Sequence, residues 1–157
     1  MSATTDLLGA TEHSVNESYA ACADTVPIAR TRIGEFATRS GVTGAALHSI
    51  RLAVSEAVTN VVRHAYRNGA GKVHVTAARL AGEFVVLVAD DGCGHQTPAE
   101  TPGFGWGLAL IADAADDFVL TERGDGGTEV RMRFVIAEAA GRPDQLRGSV
   151  DSATAPA

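Results

Sequence analysis

The sequence predicts an α/β (α+β) two-layer sandwich, in which helices cover one face of a mostly antiparallel, mixed sheet. The first observation is a run of apolar residues at three- and four-residue steps through residues 44–65, as in a helix with one buried face. The second is the alternation of apolar and polar residues within residues 72–89 and 118–135, broken by short glycine-containing turns. Helical and strand segments in this order favour one layer of helices on one sheet.

The composition is that of an ordinary globular protein and excludes several classes of function. Of 157 residues, 45% are hydrophobic and 20% charged, and the formal net charge is −6. Without a basic cluster, direct nucleic-acid binding is not expected. The apolar runs are too short to cross a membrane, and two cysteines outside any metal-ligand spacing require no oxidising compartment, so a cytoplasmic location is expected. One domain is predicted over residues 14–136, between flexible tails at 1–13 and 137–157.

Two helices are predicted in the first half of the chain. Pro27 is expected to begin the first helix, because the N–H groups of the first helical turn have no partner within the helix and a proline there loses no hydrogen bond. Gly41 is expected to end this helix. Thr43 is a suitable N-cap for the second helix, which is expected to run to about Asn68–Gly69.

The second half is predicted to be mainly strands. Residues 72–79 and 83–89 form a hairpin, and residues 118–121 and 129–135 flank a turn at 124–127. A short helix is expected from Leu108 to Ala115.

A polar stripe lies on the second helix. Glu56, Asn60 and His64 recur at four-residue steps and therefore face the same way, with Arg63 beside them. A carboxylate next to an amide oxygen suits Mg²⁺, and the carboxylate could instead act as a general base. Taken alone, the stripe is also compatible with a solvated helix face on which Glu56 pairs with an arginine.

Two glycine-rich segments follow. Asp90-x-Gly92-x-Gly94 ends an apolar strand, where glycines let the backbone lie close to a ligand and Asp90 offers an acceptor to an amino group. Gly103-x-Gly105-x-Gly107 precedes the short helix, whose first N–H groups suit phosphate. Taken in isolation, the first segment is also compatible with an ordinary turn, and the second with a flexible loop that enters a helix. The GxGxG spacing and the lack of a complete βαβ unit argue against a dinucleotide fold.

Together these motifs resemble those of the GHKL (Bergerat-fold) ATPases, and more narrowly the bacterial anti-sigma-factor serine/threonine kinases. Residues 55–66, SEAVTNVVRHAY, are similar to the N box of that family. Residues 90–94 and 103–108 are similar to its two glycine boxes, and Gly127-Thr128 to its closing threonine. The resemblance covers roughly residues 14–134 and implies the Bergerat ATP-binding fold with ATP and Mg²⁺ as cofactors.

The resemblance also implies roles for individual residues. Glu56 would activate the serine hydroxyl of a partner protein, and Asn60 would coordinate Mg²⁺. Asp90 and Thr128 would bind adenine, and Arg63 would reach a phosphate. The remaining positions that map onto the nucleotide pocket are His64, Gly92, Gly94, Gly105, Gly107 and Leu108. Arg30 is similar to an arginine that such regulators present to their protein partners.

The function implied is that of a kinase that phosphorylates a STAS-type anti-sigma-factor antagonist and sequesters an RNA polymerase sigma factor, with a homodimer as a plausible assembly. Two departures favour an alternative, an ATP-binding partner-switching module that regulates by binding only. The segment between the glycine boxes, His95–Pro102, is shorter than the usual ATP lid, and no Lys or Arg lies between Asp90 and Glu122. Phosphoryl transfer needs charge neutralisation and exclusion of water. A sensor histidine kinase fragment fits less well, because no long dimerisation helices precede the N box.

Overall fold

The computed structural model describes residues 13–66, 68, 70–93, 104–124 and 126–136. Its five strands form one sheet in the order β1-β2-β3-β5-β4, and every pairing between them is antiparallel. In chain order the elements are β1 Ser14–Ala20, α1 Thr25–Arg39, α2 Gly44–Asn60, a π-helical turn Val61–Ala65, β2 Lys72–Leu80, β3 Glu83–Asp90, α3 Phe104–Ala114, β4 Asp117–Glu122 and β5 Thr128–Val135.

The core lies between the helices and one face of the sheet, which confirms the predicted two-layer sandwich. Alternate residues of β2, β3 and β5 turn apolar side chains toward α1 and α2, as the period of a strand requires. The rings of Phe36 on α1 and Phe84 on β3 are 5.6 Å apart between centroids and tilted by 45°. Phe84 is fully buried at the middle of this interface. The opposite face, called here the outer face, carries a smaller apolar cluster of Ala78, Val85 and Leu87.

Strand β1 is an element that the sequence did not predict. It pairs with β2 from Ser14 opposite Ala78 to Ala20 opposite Lys72, and it forms one edge of the sheet. Its burial alternates residue by residue, but the partly buried positions include only two apolar side chains, Val15 and Tyr19. The alternation of apolar and polar residues in β1 is therefore too weak to identify it as a strand from the sequence alone.

The helices begin and end differently from the prediction. α1 starts at Thr25, with Pro27 inside its first turn, and Gly41 follows its end with a φ of +85°. Thr43 occupies the N-cap of α2, as predicted, but makes no side-chain hydrogen bond there. The expected continuation of α2 to Asn68–Gly69 is wrong: the α-helix gives way to the π-helical turn after Asn60, and Tyr66 is already extended.

The later elements are close to their predicted bounds, with one consequential exception. Helix α3 begins at Phe104, four residues before the predicted Leu108, so that Gly105 and Gly107 lie in its first turn rather than in a preceding loop. The predicted tails, residues 1–13 and 137–157, lie outside the described residues except for His13. In the part of the chain that is described, no helix combines the length and apolarity needed to cross a membrane.

The packing of Phe84 predicts a large loss of stability on truncation. Phe84→Ala should lower the free energy of unfolding by about 3–5 kcal/mol, because it removes a fully buried ring and leaves a cavity. Val119→Ala, at a half-exposed position of β4, should change it by about 0.5 kcal/mol or less. Urea unfolding followed by circular dichroism measures both, and equal effects would contradict the core assignment.

Candidate functional site

Asp90 is a buried carboxylate at the end of β3. Only 2% of the residue is exposed, and its side chain lies on the helix-facing side of the sheet. One carboxylate oxygen accepts a hydrogen bond from the Gly92 N–H at 2.8 Å, and the other accepts one from the Thr128 hydroxyl. Each carboxylate oxygen has a second lone pair, so the group can still accept a hydrogen bond from a ligand. The predicted adenine-reading pair, Asp90 and Thr128, is therefore in direct contact.

Two glycines allow the backbone to approach this carboxylate closely. A Cβ on Gly92 would lie 2.1 Å from the Ala65 carbonyl oxygen, and one on Gly127 would lie 2.0 Å from the Asp90 carbonyl oxygen. Gly127 also has a φ of +84°, a conformation that other residues rarely adopt. Side chains at either position would push apart the loop and the turn that enclose Asp90.

A second contact joins Asn60, at the end of α2, to the first turn of α3. A Cβ on Gly107 would lie 2.8 Å from the Asn60 Oδ1, so the absence of a side chain lets the amide pack directly on the helix start. The Nδ2 of Asn60 is buried and has no hydrogen-bond partner. An orphaned amide beside a helix start, where the first N–H groups have no partner within the helix, is a polar site suited to an anion and its counter-ion.

The π-helical turn connects these two groups of residues. Its last carbonyl, that of Ala65, accepts a hydrogen bond from the Cys93 N–H at 3.1 Å and a weaker contact from the Cys93 Sγ at 3.4 Å. In a regular α-helix that ran on, this carbonyl would bond to a residue four places later instead. π-Helical turns occur often at functional sites, and here the turn attaches the loop after β3 to the end of α2.

Tyr66 also connects the π-helical turn to the loop after β3, and no role was predicted for it from the sequence. Its hydroxyl donates to the Lys72 carbonyl and accepts from the N–H groups of Lys72 and Asp91, both at 3.0 Å. The tyrosine thus ties the π-helical turn to the start of β2 and to the loop after β3. The signal available in the sequence was only its place inside the segment that resembles an N box.

Arg123 and His74 support the loop from the outer face, and neither was predicted from the sequence. The guanidinium of Arg123 donates to the Asp90 carbonyl oxygen at 3.1 Å and to Asp91 at 2.8 Å. His74 Nε2 lies 2.7 Å from the other carboxylate oxygen of Asp91. The hydrogen bond from His74, reinforced by Arg123, holds the pKa of Asp91 below its ordinary value.

The remaining polar-stripe residues are more accessible. Glu56 is half-buried on α2, one helical turn before Asn60, and Arg63 is exposed on the π-helical turn. His64 is partly buried, and that burial, together with the positive charge of Arg63, lowers its pKa. A lowered pKa keeps the imidazole neutral at physiological pH.

Other predicted positions lie farther from these contacts or outside the described residues. Leu108 packs partly against the hydrophobic core, and Gly105 is exposed in the first turn of α3. Arg30 is exposed on α1. Gly94, His95 and the rest of the segment between the glycine boxes lie outside the described residues.

The arrangement can hold a ligand that has a hydrogen-bond-donating ring at one end and an anion at the other. Asp90 and Thr128 offer acceptors at the ring end, and the start of α3 offers N–H groups at the anionic end. Within the described residues no group of three or more His, Cys, Asp or Glu could hold a metal by itself. A Mg²⁺ ion is still compatible with Asn60, because this ion usually takes few protein ligands and shares phosphate oxygens and water.

Comparison with known proteins gives a consistent result. The histidine kinase-like ATPase domain family matches residues 19–134. The anti-sigma F factor of Caldanaerobacter subterraneus subsp. tengcongensis is 31% identical over 134 residues, covering 78% of this chain and 87% of that protein. The serine-protein kinase RsbW of Bacillus cereus is 27% identical over 131 residues, covering 74% and 81%.

One solved structure shows the same fold. The crystal structure of the RsbU and RsbW domains of a Mycobacterium tuberculosis protein matches with a TM-score of 0.63 at 23% identity. The match covers 78% of this chain and 31% of that longer chain. At this identity the likeness concerns the fold alone.

The position of the Tyr66 hydroxyl predicts a local effect on the loop after β3. Tyr66→Phe should cost about 0.5–1.5 kcal/mol of unfolding free energy and speed hydrogen exchange at the Asp91 amide, which loses its acceptor. Tyr19→Phe, which removes only a bond to the Glu17 side chain, is the matched control. NMR-detected amide exchange is the measurement, and unchanged protection at Asp91 would show that Tyr66 does not hold the loop.

Proposed function

The chain belongs to the family of histidine kinase-like ATPase domains, and from this premise we propose that it is an anti-sigma regulatory factor with protein serine/threonine kinase activity. It would phosphorylate an anti-sigma-factor antagonist and sequester an RNA polymerase sigma factor in the cytoplasm. The curated relatives support this proposal, since they are named anti-sigma F factor and serine-protein kinase RsbW.

The observation that carries the proposal is the buried Asp90 carboxylate at the end of β3, which accepts hydrogen bonds from Thr128 and Gly92. A buried carboxylate with spare acceptor capacity is costly unless a donor completes it. The exocyclic amino group of adenine is such a donor. Adenine specificity would thus come from Asp90, with Thr128 fixing the carboxylate plane.

The other end of the nucleotide would lie at the start of α3. The N–H groups near Gly105 and Gly107 would receive phosphate oxygens, aided by the helix dipole, and Arg63 and His64 would line the same end. Asn60 would hold Mg²⁺, which when bound neutralises charge on the phosphates. Leu108 would contribute apolar contact at the back of the pocket.

Glu56 is the proposed general base. It would take the proton of the acceptor hydroxyl while that oxygen forms its bond to the terminal phosphorus, and the bond to the ADP oxygen breaks. Arg30, exposed on α1, would meet the partner proteins, and pairing of two copies would give a homodimer. In this proposal the general base lies on α2, and the residue that would contact partner proteins lies on α1.

A binding-only module is the second candidate, and the charge of the chain favours it. No Lys or Arg lies between Asp90 and Glu122, and the guanidinium of Arg123 is held by Asp90 and Asp91 at the loop backbone. The negative charge of the transferring phosphoryl group would then lack a cation from this part of the chain. Nucleotide binding tolerates that loss better than phosphoryl transfer does.

Asp90→Asn tests the nucleotide site. It should weaken ADP binding about tenfold or more, because a hydrogen bond to a charged acceptor is replaced by a neutral one. Asp113→Asn, at an exposed position of α3, should bind ADP like the native protein. Isothermal titration calorimetry with Mg²⁺ present measures both affinities, and an unchanged affinity in Asp90→Asn would remove the adenine contact.

Glu56→Gln tests the catalytic role separately. With labelled Mg-ATP and candidate antagonist proteins from the same genome, transfer to the antagonist should fall about a hundredfold or more, while ADP affinity stays within about twofold. Glu35→Gln on the exposed face of α1 is the control. Native protein that binds ATP but labels no antagonist would overturn the kinase proposal and leave the binding-only module.

A further inference from the structure

We infer that the outer face of the sheet carries a second binding site, for a guanidinium or ammonium cation, centred on the carboxylate of Glu129. A concavity of about 340 Å³ lies on this face. It is lined by Asn16, His74, Thr76, Leu87, Ala89, Asp91, Arg123 and Glu129. Asp90 points to the opposite side of the sheet, so this site is separate from the proposed nucleotide site.

Glu129 is the unusual group in this concavity. It lies on β5 opposite Ala89 of β3 and Thr121 of β4, and only 8% of the residue is exposed. Among the described residues it forms no ion pair and its carboxylate accepts no side-chain hydrogen bond. Since little of the residue reaches solvent, a positive charge or a hydrogen-bond donor in the concavity would meet a carboxylate that has no partner from the described part of the protein.

The two basic side chains that line the concavity, Arg123 and His74, both contact Asp91. Arg123 donates to Asp91 and to the Asp90 carbonyl oxygen. His74 contacts Asp91 through Nε2 and the Ser18 hydroxyl through Nδ1, both at 2.7 Å. Because a carboxylate only accepts, the Nε2 of His74 carries a proton and donates it to Asp91.

The charge balance of the concavity follows from these pairings. The lining contains one arginine, one histidine and two carboxylates, those of Asp91 and Glu129. Both basic groups contact Asp91, so among the described residues Glu129 is the carboxylate of this lining that has no ion-pair partner. The site therefore attracts a cation and repels an anion.

The rest of the lining suits a cation on an aliphatic stem. Thr76 and Asn16 supply oxygen acceptors beside Glu129, and Leu87 and Ala89 form an apolar floor. A guanidinium or ammonium head can satisfy several acceptors at once while its methylene groups cover the floor. Such a group can come from a free small molecule or from an arginine or lysine side chain of another protein.

The experiment uses the full chain without nucleotide, so its result does not depend on ATP binding. Calorimetric titrations employ n-butylguanidine, its neutral isostere n-butylurea, and the peptide acetyl-Gly-Arg-Gly-amide with its citrulline counterpart. The native protein should bind at least one guanidinium probe and neither neutral analogue. Tighter binding of butylguanidine would identify a free small molecule as the source, and tighter binding of the peptide would identify a protein side chain.

Glu129→Gln is the decisive variant, because it keeps the shape of the side chain and removes its charge. Affinity for the guanidinium probe should fall about tenfold or more. Glu122→Gln, at an exposed position of the same hairpin, should leave it unchanged. No binding of either guanidinium probe, equal binding of the neutral analogues, or equal affinity in Glu129→Gln would overturn the site.

A measurement on the native protein covers the case in which Glu129→Gln does not fold. Titration with butylguanidine should shift the backbone NMR signals of Ala89, Thr121 and Glu129, which are neighbours across the strands. Shifts confined to other parts of the chain would equally overturn the proposal.

Discussion

The burial of the Asp90 carboxylate is the constraint on which the surrounding structure depends. A negative charge at the end of an internal strand is tolerated only if nearby groups donate to it. Gly92 and Thr128 do so, but they can reach it only because Gly127 turns the β4–β5 hairpin close to the strand end and Gly92 has no side chain. The glycines are thus required by packing around a charge.

The second requirement is that this loop stay attached to the end of α2. The π-helical turn provides the Ala65 carbonyl as an acceptor for Cys93, and Tyr66 binds the backbone of Lys72 and Asp91. Arg123 adds a contact from the outer face. The loop is therefore held from both sides of the sheet, by the end of α2 on one side and by Arg123 on the other.

Much of this could be predicted from the sequence, and the misses have physical reasons. Helix α2 and the β2–β3 hairpin carry strong apolar periodicity, so their type was evident. The glycine-rich segment after β3 indicated Asp90, and the family resemblance indicated Thr128. Strand β1 was missed because its inward face is only partly apolar and its pairing with β2 is non-local. The roles of Tyr66 and Arg123 depend on backbone atoms of distant residues, which no local pattern encodes.

The π-helical turn also constrains the length of the chain. A π-helical turn closes its hydrogen bonds over five residues instead of four, so it holds one residue more than the same stretch of α-helix. Deleting one residue between Val61 and Ala65 would remove this extra residue, so the segment could close only as a regular α-helix. A deletion in this segment is thus expected to disturb the contacts of Ala65 with Cys93 and of Tyr66 with Asp91 more than a conservative substitution does.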